Sequence, residues 1–413
     1  MSEFKSHKAL ILRNIFWANL NTFLRYALAF AATSYLARSF SPDIFGTYQL
    51  VMSYLTIFEA FAFVNPTHLR NYLASNPDKE TTVTSLWFWQ NIVIFMILFL
   101  VCLFGFVFSP ERAFWLLLAI ASIRFLFRFN DYVAVICDQR LLNHVAQKIA
   151  IVQSISLNIA RILAAALKAN IFLLCFTSPV QGICSTYQQW AIGRKIGIKT
   201  SKRIEPSEFL KILKGGFFLS LLAFISVFQS RVISLVIAEY LSKEDFGNFQ
   251  LVVKLVEPAT MLGVIILGAN YSVLANTLTQ SLKLFNIRFA KIVGVTLMIS
   301  FGLALIIYLS PVSLLVRFFG EKYLHGLSLL GIGSLMVISN TFFWVDQNYD
   351  FLKQEYIFAL IKYVAILLLY VCATFYFAAA ITIEAGLWIS ILVPLVVSGS
   401  SLIYRIISYF RTV

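Results

Sequence analysis

The sequence predicts an all-α polytopic membrane protein, with twelve transmembrane helices in two parallel six-helix repeats around a central polar cavity. Three observations carry that expectation. Of the 413 residues 60% are hydrophobic and only 13% charged, and the mean hydropathy is +0.83, outside the range of soluble globular chains. Apolar runs that can cross a ~30 Å hydrocarbon layer as helices recur throughout, with 93–108 and 364–381 among the clearest. The stretch Phe45-Gly46-Thr47-Tyr48-Gln49-Leu50-Val51 returns 201 residues later as Phe246-Gly247-Asn248-Phe249-Gln250-Leu251-Val252. Five of the seven positions are identical and a sixth exchanges Tyr for Phe. An internal repeat at half the chain length marks a duplicated unit.

In chain order, helices are expected at 10–38, 46–74, 82–108, 112–138, 141–168 and 170–194, then at 208–240, 247–276, 283–309, 320–346, 355–380 and 384–410. The first apolar stretch is too long for the core of a cleavable signal. The polar turn Ser41-Pro42-Asp43 separates it from the first Phe-Gly copy. Helix 2 is expected to break at Asn65-Pro66, because proline has no N–H and restricts the residue before it. After helix 6 comes the basic loop that begins at Arg194 and Lys195 and continues through Lys199, Lys202 and Arg203. It divides an N-terminal bundle, 1–195, from a C-terminal bundle, 208–413, with a linker at 196–207. Ser242-Lys243-Glu244-Asp245 then repeats the first polar turn, and Pro258 is expected to kink helix 8. Six spans in each half return the chain to its starting side, which makes the repeats parallel.

Basic residues set the orientation. Twenty-one lie in segments on the side of the termini, Lys362 and Arg405 counted among them, and six on the other. That bias places both termini in the cytoplasm. It also accounts for a net charge of +14 without nucleic acid, for which the loops are too short.

The other six basic residues, Arg25, Arg124, Arg128, Arg161, Arg231 and Lys254, fall inside expected spans. Each would cost ~2.5–3.5 kcal/mol facing lipid at a helix centre, so they must face a bundle interior, a watery cavity or acidic partners. Helical spacing supports one polar face per helix. Asn14, Asn21 and Arg25 share a stripe; so do Arg124, Arg128, Asp131 and Asp138; so do Gln147, Ser154, Asn158 and Arg161. Ser220 and Arg231 mark helix 7, and Lys254 with Glu257 marks helix 8. The acids inside spans are Glu59, Asp131 and Glu257, three against six bases. An excess of cations in a low-dielectric chamber attracts anions, and the arginine fork suits phosphate because it binds two oxygens at once. The spacings Arg128–Asp131 and Lys254–Glu257 also fit plain intrahelical pairs.

Other positions carry less. The five cysteines are scattered through apolar segments without metal-ligand spacing, so neither a metal site nor a cofactor is expected. His68, His144 and His325 sit near helix ends and read as interfacial. Asp346 and Asp350 read as a solvated helix end, with contact to a coupling cation as the alternative.

The run from Tyr35-Leu36-Ala37-Arg38-Ser39-Phe40 through Ser41-Pro42-Asp43-Ile44-Phe45-Gly46-Thr47-Tyr48 resembles the opening helix-turn-helix of polysaccharide flippases of the Wzx type. These belong to the multidrug/oligosaccharidyl-lipid/polysaccharide exporter superfamily. The resemblance implies a multi-pass protein of the bacterial inner membrane. Its substrate would be an undecaprenyl-pyrophosphate-linked oligosaccharide, such as an O-antigen repeat unit for lipopolysaccharide, moved from the cytoplasmic to the periplasmic leaflet. Other polysaccharide assembly proteins would be its partners. Arg25, Arg124, Arg128, Arg161, Arg231 and Lys254 would attract the pyrophosphate, and Asn21 and Asn158 would meet sugar hydroxyls. A proton or sodium ion could couple through Glu59, Asp131 or Glu257. The family's helix 7 often carries an acid beside its arginine; here the positions before Arg231 are Gln229 and Ser230. Two competing classes are an exporter of organic cations, which the excess of bases disfavours, and a polytopic polymerase. The polymerase would need a catalytic loop and clustered carboxylates, and the sequence offers neither.

Overall fold

A computed structural model describes residues 2–412 except 62, 63, 65, 141, 169, 202, 204 and 378–380, with backbone alone at 2–15, 18, 19, 67, 143, 269, 272 and 406–412. The described residues form seventeen α-helices and no strand. They are α1 Ser2–Ser39, α2 Pro42–Ala60, α3 Pro66–Ser75, α4 Glu80–Phe108, α5 Arg112–Ser122, α6 Tyr132–Gln139, α7 Asn143–Ala166, α8 Ile171–Lys195 and α9 Pro206–Ala238. The chain continues as α10 Lys243–Ala269, α11 Tyr271–Gln280, α12 Leu282–Tyr308, α13 Val312–Phe319, α14 Leu324–Ser328, α15 Leu330–Lys353, α16 Tyr356–Tyr376 and α17 Ile383–Thr412. The protein is all-α and polytopic. By length and composition seven of these helices can cross a membrane, or up to nine if each of two bent pairs is one span.

Every expected span is occupied by a helix or a broken helix. Pro66 opens α3 after α2 has ended at Ala60; Asn65 lies outside the described residues. The fourth span is α5, a 3-10 turn at Ile123–Phe127 and α6, bent by 42°. In the eighth, α10 continues through Pro258 to Ala269, and the helix ends at Asn270, whose side chain bonds back to the Ile266 carbonyl. The tenth is shifted towards the C-terminus. α14 and α15 bend by 54°, and α15 extends to Lys353, where Gln354 ends it in a left-handed conformation. Helix starts follow side-chain capping. Asn170, Ser242 and Ser281 each accept the backbone N–H three residues on, opening α8, α10 and α12.

The contacts divide the chain into two compact units, 1–39 with 51–227, and 40–50 with 228–413. In the first, Leu69 and Leu73 of α3 pack with Leu86 of α4, Ile136 of α6 and Ile212 of α9. The beginning of α9 belongs here because Glu208 accepts the Tyr72 hydroxyl at 2.8 Å and His68 lies against Gly215 and Gly216. In the second, Leu267, Leu274, Phe285, Val345 and Leu352 form a core under α10, α11, α12 and α15.

The repeated Phe-Gly stretch is repeated in structure. Phe45 N donates to Ser41 O at 3.0 Å and Phe246 N to Ser242 O at 2.8 Å. Phe45, Phe246, Gln49 and Gln250 are all buried. Within the second unit the two copies meet through their glycines: a Cβ on Gly46 would lie 2.9 Å from Gly247 N, and one on Gly247 would strike the Pro42 carbonyl. Gly→Ala inside a helix ordinarily stabilises by up to ~1 kcal/mol. At Gly247 the sign reverses, because the obstacle is backbone and cannot swing away. Gly247→Ala is expected to cost at least ~1–3 kcal/mol, read as a lower thermal midpoint in detergent. An unchanged midpoint would refute the close approach.

Candidate functional site: an arginine–carboxylate cluster

In the first unit the bend of the fourth span creates the site. Where α5 gives way to the 3-10 turn and then to an irregular stretch before α6, backbone carbonyls lose their helical partners. Trp87 Nε1 donates to Arg128 O at 3.3 Å, and the Thr186 hydroxyl donates to Phe127 O. Gly182 lets α8 approach, since a Cβ there would sit 3.0 Å from Phe127 Cβ and 3.2 Å from Arg124 O. The turn thus held presents Arg124, Arg128 and Asp131 towards the last turn of α2, which carries Glu59.

The four side chains form one chain of charge. Glu59 Oε2 accepts from Arg124 Nη2 at 3.2 Å, and Glu59 Oε1 lies 2.8 Å from Arg128 Nη1. Asp131 Oδ2 accepts from Arg128 Nε at 2.6 Å, and Asp131 Oδ1 from Gln189 Nε2 at 2.8 Å. Glu59 and Arg128 line a cavity of about 240 Å³ with Trp87, Gln90, Asn91 and Ser220. The Ser220 hydroxyl is buried and has no hydrogen-bond partner among the described residues. Glu59 is the most open of the four, 36% exposed against 17% for Arg124, 22% for Arg128 and 16% for Asp131. Two guanidinium groups face two carboxylates, so the cluster is neutral.

The remaining residues expected at the site are distributed more widely. Arg161, on α7, is near enough for its charge to act on Arg124. Asn21 of α1 donates to Gln147 of α7 at 2.7 Å, and Asn158 donates to the Ser154 carbonyl at 2.8 Å. The side-chain oxygens of Asn21 and Asn158 are buried and accept no hydrogen bond among the described residues. Arg25 is exposed, donates to the Tyr26 hydroxyl at 2.9 Å and stacks over its ring. The side chain of Asn14 lies outside the described residues. In the second unit Glu257 serves both bases: Lys254 Nζ at 2.8 Å and Arg231 Nη2 at 3.5 Å. The i, i+3 pairs therefore form, and both acids of the longer-range pairs, Glu59 and Glu257, reach an arginine from another helix.

One cluster contradicts the reading of the sequence. Asp346 and Asp350 are not a solvated helix end; they are buried on α15, and Lys362 and Arg405 are not loop residues. Lys362 Nζ contacts both aspartates, Arg405 Nη2 contacts Asp350, and Arg405 Nη1 lies 3.2 Å from Glu355 Oε2. Ser401 Oγ donates to Asp346 Oδ1 at 2.8 Å, and Arg405 stacks 4.2 Å from the Tyr349 ring centroid. The displacement of α15 explains the error: ending the helix at 346 leaves both acids at its rim. The signal was present, since Lys362 and Arg405 each sit inside an expected span.

Over residues 11–278 the sequence matches the family described as "Polysaccharide biosynthesis protein". The chain belongs to that family. No curated protein matches it. Among solved structures, this family member is similar to an inward-facing multidrug resistance MATE transporter of the MOP superfamily, with 15% identity over 95% of this chain and 99% of that one and a TM-score of 0.74. It is also similar to the lipid II flippase MurJ in an inward closed conformation, with 17% identity over 96% and 93% and a TM-score of 0.66. A third is a MOP superfamily transporter from Pyrococcus furiosus whose binding pocket is described as of reverse polarity, with 14% identity over 96% and 93% and a TM-score of 0.60. These likenesses establish the fold of a MATE- and MurJ-type transporter for this polysaccharide biosynthesis protein. What its first unit offers chemically is a pair of arginines that converge on Glu59, with Glu59 and Arg128 lining the cavity.

Proposed function

We propose that the protein is a flippase for an undecaprenyl-pyrophosphate-linked oligosaccharide, a repeat unit of O-antigen or a related polysaccharide, and that it works by transport rather than catalysis. It would act in the bacterial inner membrane with both termini in the cytoplasm, carrying the substrate to the periplasmic leaflet by alternating access. The observation that carries the reading is the convergence of Arg124 and Arg128 on one carboxylate at the cavity edge. Two guanidinium forks that meet the two oxygens of one carboxylate match an anion with two phosphoryl groups. Arg161 adds positive charge beside them, and Arg25, Arg231 and Lys254 supply further cations. Asn21 and Asn158 keep buried acceptors for sugar hydroxyls. Glu59, Asp131 and Glu257 are the proposed acids for a coupling proton or sodium ion.

Export of organic cations is the competing reading, and the openness of Glu59 is the observation that favours it. Transport of a fluorescent undecaprenyl-pyrophosphate oligosaccharide in proteoliposomes separates the two. Flipping by the native protein, lost in the Arg124→Ala, Arg128→Ala double variant, is the expected result. Uptake of an organic cation with no flipping of the lipid would overturn it.

A further inference from the structure

We infer that Glu59 is an exchangeable counter-anion: it occupies the Arg124–Arg128 fork when the site is empty and yields that fork to the diphosphate of the substrate. The inference rests on the proposed flippase reading and concerns how the same site chooses its anion.

The two acids of the cluster are held differently. Asp131 sits on the same turn as Arg128, and both its oxygens are engaged, one by Arg128 Nε and the other by Gln189 Nε2. It has an anchor besides arginine and is the least open of the four charges. Glu59 divides its two oxygens between Arg124 and Arg128. It stands in the last turn of α2, one residue before that helix ends; it is the most exposed of the four charges and lines the cavity. The fixed acid orients Arg128, and the open acid bridges the two arginines as a diphosphate would.

Charge accounts for the arrangement. Without Glu59, two half-buried arginines would share the single negative charge of Asp131, and an uncompensated charge withdrawn from water is unfavourable. A tethered carboxylate keeps the empty site neutral. It also sets a threshold for the incoming ligand. A diphosphate offers several phosphoryl oxygens in place of one carboxylate and can form bidentate contacts to both guanidinium groups. A monophosphate reaches fewer donors and competes less well. Glu59 would thus make the site select diphosphate over monophosphate, and its return to the fork would assist release.

The test is binding of farnesyl diphosphate and farnesyl monophosphate to the purified full-length protein in lipid nanodiscs, by calorimetry. Native protein is expected to bind the diphosphate more tightly than the monophosphate. Glu59→Gln removes the competing charge, so its diphosphate affinity is expected to rise about tenfold or more, with the monophosphate gaining at least as much. Asp131→Asn loses an orienting acid and is expected to show no gain. A merely structural Glu59 would produce the opposite, weaker binding on substitution. If Glu59→Gln does not fold, Glu59→Asp replaces it: the shortened acid cannot bridge both arginines, and tighter binding is again expected. Unchanged or weaker diphosphate binding in the folded variant overturns the exchange while leaving the anion site standing. No diphosphate binding by the native protein overturns the exchange and the flippase reading together.

Discussion

Lys362→Met is expected to be among the most destabilising single substitutions in the chain, lowering stability by about 3–5 kcal/mol. The ammonium group lies against Asp346 and Asp350 at once, in a setting where those side chains are 3% and 0% exposed. Removing it leaves two buried carboxylates, one helical turn apart on α15, sharing Arg405 alone. Methionine keeps the volume of the stem, so the loss reads the charge rather than a cavity. A second substitution separates this from a packing effect. With Asp350→Asn added, Arg405 faces Asp346 and Glu355, the excess negative charge is reduced, and most of the lost stability should return. Thermal midpoints of the native protein, the two single variants and the double variant form a cycle with a coupling energy well above the ~0.5 kcal/mol expected of independent sites. Additive midpoints would show that the buried network does not hold α15, α16 and α17 together.

That network also shows where sequence reading works in this protein and where it stops. The helical segments were legible because lipid demands long apolar runs, and every expected span is occupied. Asn65-Pro66 was legible as a break because proline acts locally. The bend between α5 and α6 was not. Nothing in 123–131 breaks a helix chemically, and the 3-10 turn is held by Trp87, Thr186 and the space left by Gly182, all distant in sequence. The pairs Arg128–Asp131 and Lys254–Glu257 could be read from spacing alone. The pair Arg124–Glu59 could not, because 65 residues separate the partners. Composition gave three acids against six bases; only the fold shows Glu59 meeting two arginines and Glu257 meeting an arginine and a lysine. Asp346 and Asp350 were misassigned through helix register, since a shift of seven residues at the end of α15 carries an acid from the rim to the interior.

Arg128 is the residue at which stability and transport should come apart most clearly. Arg128→Gln removes two contacts at once: the Nη1 pair with Glu59 and the Nε contact with Asp131 Oδ2 that orients the turn. Asp131 then keeps Gln189 but loses its cation, so a loss of about 3–5 kcal/mol is expected from the single change. Loss of transport in that variant would be uninformative by itself, because misfolding predicts it too. The paired substitution Arg128→Gln, Asp131→Asn resolves the ambiguity. It removes one charge of each sign and leaves Arg124 with Glu59, so the thermal midpoint should recover most of the way. Transport should not recover. Each charge-assisted contact to an anion contributes about 1.5–3 kcal/mol, and loss of the Arg128 fork is expected to slow flipping of a pyrophosphate-linked oligosaccharide by roughly tenfold to a hundredfold. A structural arginine would give the other pattern, with flipping restored alongside the fold. The double variant therefore asks whether Arg128 is held in the cluster for the cluster's own sake or for an anion that arrives later.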